Sequence, residues 1–76
     1  MASQTQERLK FLLEKEYGAK VDEAKPIGEQ YDLDSLGLVE MYMLIEEEFG
    51  IVVPEEDRKM KIALGDLVNI VEKASK

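Results

Sequence analysis

The chain has no cysteine and no histidine among its 76 residues. The missing cysteine excludes a disulfide framework and a thiolate metal site, and it fits a cytosolic protein. With both residue types absent, the usual nucleophile–base triads, dyads and zinc sites are unavailable, so an enzyme is not expected and no metal ligand set stands out. Apolar runs are short. None approaches the roughly 20 residues of a membrane span, and the first residues show no secretory signal pattern, so no membrane insertion is expected. Base is missing from a long internal stretch. From Pro26 to Asp57 there are ten acids (Glu29, Asp32, Asp34, Glu40, Glu46, Glu47, Glu48, Glu55, Glu56 and Asp57) and no Lys or Arg, within a net charge of −7. Nucleic acid and anionic membrane would be repelled by that half. A short acidic run is usually no more than a solvated face, but 32 residues without a base point to a surface that docks basic partners.

What is present is enough to fold. Apolar residues make up 45% of the chain, sufficient for a small core and too many for a disordered acidic tail. Residues 1–76 read as one domain. The spacing predicts a first helix over 4–17, with Leu9, Leu12, Leu13 and Tyr17 as its buried stripe and Gly18 as its stop. A long connection over 18–33 contains Pro26 and Gly28, and Val21, Ile27, Tyr31 and Leu33 should pin it to the core. Long loops in small domains are uncommon and often functional. A second helix over 35–49 has Asp34 as N-cap and Gly50 as stop. Pro54 prevents the helix from resuming, a single turn is expected near 56–60, and a last helix is expected over 65–74, with Leu67, Val68, Ile70 and Val71 apolar.

The second helix carries the functional argument. Leu38, Met41, Tyr42, Ile45 and Phe49 follow helical spacing and should face the core. The opposite face then holds Leu36, Val39, Glu40, Met43, Glu46 and Glu47, which mixes exposed apolar side chains with carboxylates. Met43 suits a surface that fits several partners. Ser35 stands where outward-pointing N–H groups and the positive end of the helix dipole would hold a phosphate. A phosphorylated or phosphodiester-linked serine at the tip of an acidic docking helix reads as a carrier whose chemistry is done by other proteins.

The stretch Asp34-Ser35-Leu36-Gly37-Leu38-Val39-Glu40-Met41 resembles the Asp-Ser-Leu signature of the acyl carrier protein family. Glu46-Glu47-Glu48-Phe49 followed by Val53-Pro54 is similar to that family's acidic helix end and Ile-Pro turn. The resemblance covers nearly the whole chain. It implies an all-α fold, an antiparallel four-helix bundle with a short third helix and a long loop between the first two. It also implies 4′-phosphopantetheine from coenzyme A on Ser35, acyl intermediates held as thioesters on that arm, and service to fatty-acid or related biosynthesis in the cytoplasm. Implied partners are a phosphopantetheinyl transferase and acyl-loading and acyl-transferring enzymes with basic patches, docking on Asp34, Leu36, Val39, Glu40, Met43, Glu46 and Glu47 of a monomer. A small acyl chain is expected between the second and last helices.

Three positions depart from the family pattern. Gly37 stands where fatty-acid carriers usually have an acid, Lys61 where an apolar residue of the third helix is usual, and Ala63 where a Ser or Thr would cap the last helix. The Gly37 pattern also resembles D-alanyl and other dedicated amino-acyl carriers. Two readings from other classes stand beside these. Asp32 to Val39 partly matches a calcium loop, but Met43 replaces the bidentate Glu that such a loop needs. An unmodified acidic helical adaptor is the other, and the intact Ser35 counts against it.

Overall fold

The computed structural model describes residues 4–75. Among these residues all regular structure is helical: α1 (Gln4–Tyr17), α2 (Ile27–Gln30), α3 (Ser35–Phe49), a single 3-10 turn (Glu55–Asp57) and α4 (Leu64–Ala74). The architecture is the small helical bundle expected from the sequence.

Helix α1 buries Leu9 and Leu13 completely and packs Leu12 and Tyr17 at the edge of the core, as its spacing dictates. It ends where the Gly18 N–H reaches the Glu14 carbonyl at 2.9 Å. Its principal neighbour is α4, which contributes Leu64, Leu67 and Val71 to the same core. Helix α3 supplies Leu38, Met41, Tyr42 and Ile45 to that core, while Phe49 is half-buried against it. Gly50 closes α3 in the left-handed region (φ 64°), a conformation that glycine adopts without the Cβ strain of other residues. The Ile51 N–H then returns to the Glu46 carbonyl at 3.1 Å, which also accepts from the Gly50 N–H.

The connection between α1 and α3 is more ordered than its composition implies. Ile27 is fully buried, with Val21, Tyr31 and Leu33 packed against the core as anticipated. The short helix α2 inside this connection was not expected, since Gly28 lowers local helix propensity. It forms because of long-range bonds: the Ile27 N–H donates to the Ile62 carbonyl at 2.7 Å. The Gln30 amide also donates to the Asp22 and Lys25 carbonyls at 2.8 and 2.9 Å and accepts from the Asp22 N–H at 2.7 Å. Tyr31 stacks on Tyr17 at 4.9 Å and donates its hydroxyl to the Ala19 carbonyl at 2.7 Å.

The segment after Pro54 also differs in detail from expectation. The helical turn is confined to Glu55–Asp57 and does not reach Met60. Met60 and Lys61 are exposed, and Ile62 is the buried residue that enters the core. The segment is held to α3 by the Tyr42 hydroxyl, which donates to the Lys59 carbonyl at 2.9 Å. Burial pushes that hydroxyl up to about 12, so it remains a donor at neutral pH. Helix α4 starts at Leu64, one residue earlier than expected. Ala63 has no side-chain acceptor for a cap, but half of the lost arrangement survives: Asp66 Oδ2 accepts from the Ala63 N–H at 3.3 Å.

Mutual repulsion within the acidic half should limit stability at low ionic strength. Two of its acids are neutralised in the fold, Glu46 by Arg58 and Glu48 by Arg8, and most of the others are exposed. Salt screens such charges with a Debye length of about 10 Å at 0.1 M, so the melting temperature should rise between low and moderate salt. A melting temperature that is flat or falls with salt would contradict the repulsion argument.

Candidate functional site

Ser35 is the first residue of α3 and is exposed. Its position is fixed by Asp34, which has an extended backbone (φ −83°, ψ −174°) and caps the helix. Asp34 Oδ1 accepts from the Gly37 N–H at 2.7 Å, and the Asp34 carbonyl accepts from the Leu38 N–H at 2.9 Å. The N–H groups of Ser35 and Leu36 lie in the first turn, where a helix offers no internal acceptor, so they point outward beside the serine hydroxyl. A phosphate ester on that hydroxyl would therefore sit at the positive end of α3.

Gly37 has a positional reason beyond the absence of an acid. A Cβ there would meet the Leu33 Cβ and the Asp34 Oδ1 at 3.3 Å, so the glycine lets the incoming chain pass close to the cap. A carboxylate introduced at this point would press on the cap itself. Next to the site, a surface depression of about 580 Å³ lies between α2 and residues 60–61, with Leu33 and Leu38 among its lining residues.

Among the described residues no acceptor engages the Ser35 hydroxyl. Histidine is absent, and the cap bond to Gly37 occupies Asp34 Oδ1.

Below the serine, Leu36, Glu40, Met43 and Glu47 follow one another at four- and three-residue steps along α3, with Val39 beside them. Leu36, Val39 and Met43 are 65%, 42% and 51% exposed. Glu40 and Glu47 are exposed as well. Of the residues expected to be exposed on this side of α3, Glu46 differs. The Glu46 side chain turns away and is only 19% exposed. Its Oε2 accepts from the Val53 N–H at 2.7 Å and from Arg58 Nη2 at 2.9 Å. The Val53 N–H, reinforced by Arg58, holds the carboxyl below the usual Glu range. Sequence reasoning missed this pair because Arg58 is twelve residues from Glu46 and outside any helical spacing.

Glu48, at the far end of α3, pairs with Arg8 at 3.6 Å, and the Arg8 guanidinium lies 4.4 Å from the Phe49 ring centroid. The calcium-loop alternative finds no support in this geometry: among the described residues no three acidic side chains converge on a point that could hold a metal ion.

The exposed hydroxyl, the cap and the outward N–H groups fit a phosphate-linked group at Ser35. Residues 7–71 match a family model described as the phosphopantetheine attachment site, spanning all of α2, α3 and the 3-10 turn and most of α1 and α4. The chain belongs to the phosphopantetheine attachment-site family, whose domain takes 4′-phosphopantetheine as its prosthetic group.

Proposed function

We propose that this protein is a non-catalytic acyl carrier that bears its arm on Ser35 and presents the Leu36–Glu47 face of α3 to the enzymes that load and unload it. The observation that supports this reading most strongly is the exposed Ser35 hydroxyl at the capped start of α3. When attached, 4′-phosphopantetheine supplies the thiol that the cysteine-free chain lacks. The chain's own residues then have three tasks. Asp34 fixes the first turn, the Ser35 and Leu36 N–H groups face the phosphodiester, and the rest of α3 supplies the docking surface. Partners are a phosphopantetheinyl transferase and acyl-transferring enzymes with basic patches, met by a single copy of the chain.

The mixture of Leu36, Val39 and Met43 with Glu40 and Glu47 fits this use. Carboxylates on the rim speed encounter with a basic partner and make it salt-sensitive, while a small apolar contact keeps the complex short-lived. A shuttle needs both properties. Reversing the charge at Glu40 or Glu47 to Lys should slow loading several-fold with helicity unchanged, since both side chains are exposed. Met43→Ala should weaken partner binding by about 1 kcal/mol, as for a modest interface contact. Loading rates, circular dichroism and titration calorimetry against the transferase would check these outcomes; full activity in both reversed variants would contradict the assignment of the face.

The function itself is tested by incubating the purified apo chain with coenzyme A and a promiscuous phosphopantetheinyl transferase. Intact mass should show one arm per chain. No mass gain, with a standard carrier modified in parallel, would overturn the reading.

A further inference from the structure

The partner-facing acids of α3 are not equivalent. Among the described residues neither Glu40 nor Glu47 has an ion-pair partner. Glu46, in contrast, is gripped from the segment beyond Pro54. Arg58 Nη2 donates to Glu46 Oε2 at 2.9 Å while Arg58 Nε donates to the Val53 carbonyl at 3.3 Å. The Val53 N–H donates to the same Glu46 oxygen at 2.7 Å, so the carboxylate, the guanidinium and the backbone of one residue close a ring of bonds. The guanidinium carbon also lies 6.0 Å from the Tyr42 ring centroid, at the outer limit of a cation–π contact. The two side chains are only 19% and 26% exposed, the most sheltered of the ion pairs among the described residues.

We propose that Arg58 is a specificity-determining residue, which takes Glu46 out of the docking face and leaves Glu40 and Glu47 as the acids that a basic partner enzyme reads. The inference rests on the docking role of α3 and refines it. A carboxylate already bonded to a guanidinium presents little net charge, and a partner's Lys or Arg approaching it meets a fixed cation. Binding there would require breaking the charge-assisted Arg58–Glu46 bond and approaching a guanidinium that the Val53 carbonyl also holds, whereas Glu40 and Glu47 present no such obstacle. The two free acids are seven residues apart, about 10 Å along a helix at 1.5 Å per residue, which sets the spacing of the cations that a partner must offer. The same ring of bonds ties residues 53–58 to α3, so the selection is built into the fold and does not depend on a mobile side chain.

Two experiments test this, and the first does not depend on any modification of the chain. Side-chain carboxyl titration by NMR on the intact chain should find Glu46 below the ordinary Glu range, moving up in Arg58→Gln. An ordinary Glu46 titration in the intact chain would overturn the proposal. The second uses the apo chain as substrate for a phosphopantetheinyl transferase with coenzyme A, and reads KM. Glu40→Gln and Glu47→Gln should each raise KM several-fold, and Glu46→Gln should leave it little changed. In the Arg58→Gln background, where the carboxylate is no longer neutralised, Glu46→Gln should raise KM. If Glu46→Gln alone raises KM as much as Glu40→Gln does, Arg58 has not removed Glu46 and the proposal fails. Circular dichroism of each variant separates these outcomes from loss of fold. A chain that takes no arm at all would overturn the carrier reading, while the titration would still decide whether the pair exists.

Discussion

Replacing Ile62 by alanine should destabilise the fold by about 2–5 kcal/mol, the range for truncating a fully buried aliphatic side chain. The neighbouring Lys61→Ala should change stability by no more than about 0.5 kcal/mol, as for an exposed side chain without a partner. The contrast follows from the register of the segment before α4. Ile62 is completely buried, while Lys61 is exposed. Ile62 also anchors more than its own side chain, since its carbonyl takes the Ile27 N–H at 2.7 Å and thereby secures α2. Domains of this size sit toward the low end of a total stability of about 5–15 kcal/mol, so Ile62→Ala should leave little margin for the folded state. Chemical denaturation followed by circular dichroism measures both. A larger loss at Lys61 than at Ile62 would show that the register is wrong.

The parts of this fold that could be read from the sequence are those whose determinants are local. Helix α3 begins and ends where Asp34 and Gly50 dictate, because a cap and a left-handed stop act within a few residues. The buried stripes of α1 and α3 follow from helical spacing for the same reason. Helix α2 depends on a hydrogen bond between Ile27 and Ile62, thirty-five positions apart, which no local pattern announces. Lys61 in place of the usual apolar residue of the family obscured the register before α4, and only the buried position of Ile62 resolves it. At the functional site the same division holds. The exposed Ser35 at the start of α3 and the exposed Leu36, Val39 and Met43 on it were legible from a helix start and a period of 3.6. The bonding of Glu46 to the segment after α3 was not, because its partners Val53 and Arg58 come from the far side of Gly50.

Ser35→Ala should abolish attachment of the arm while leaving the fold intact, a complete loss of function set against a change in stability within about 0.5 kcal/mol. Ser35 is exposed, and the capping bond to the Gly37 N–H comes from Asp34, so the hydroxyl contributes little to the helix start. The remaining hydroxyls do not share its setting. Ser75 donates its Oγ to the Val71 carbonyl at 2.8 Å, Thr5 lies in α1, and Ser3 lies outside the described residues. Neither Thr5 nor Ser75 stands between a capping Asp and a leucine at the start of a helix. The loss should therefore not be made up elsewhere in the chain.

The most direct measurement is peptide-level mass spectrometry of the chain after incubation with coenzyme A and the transferase, run beside the Ser35→Ala variant. The account predicts one arm, located on the peptide that contains Ser35, and an unmodified variant with native helicity. An arm on any other residue, or a modified Ser35→Ala chain, would contradict it.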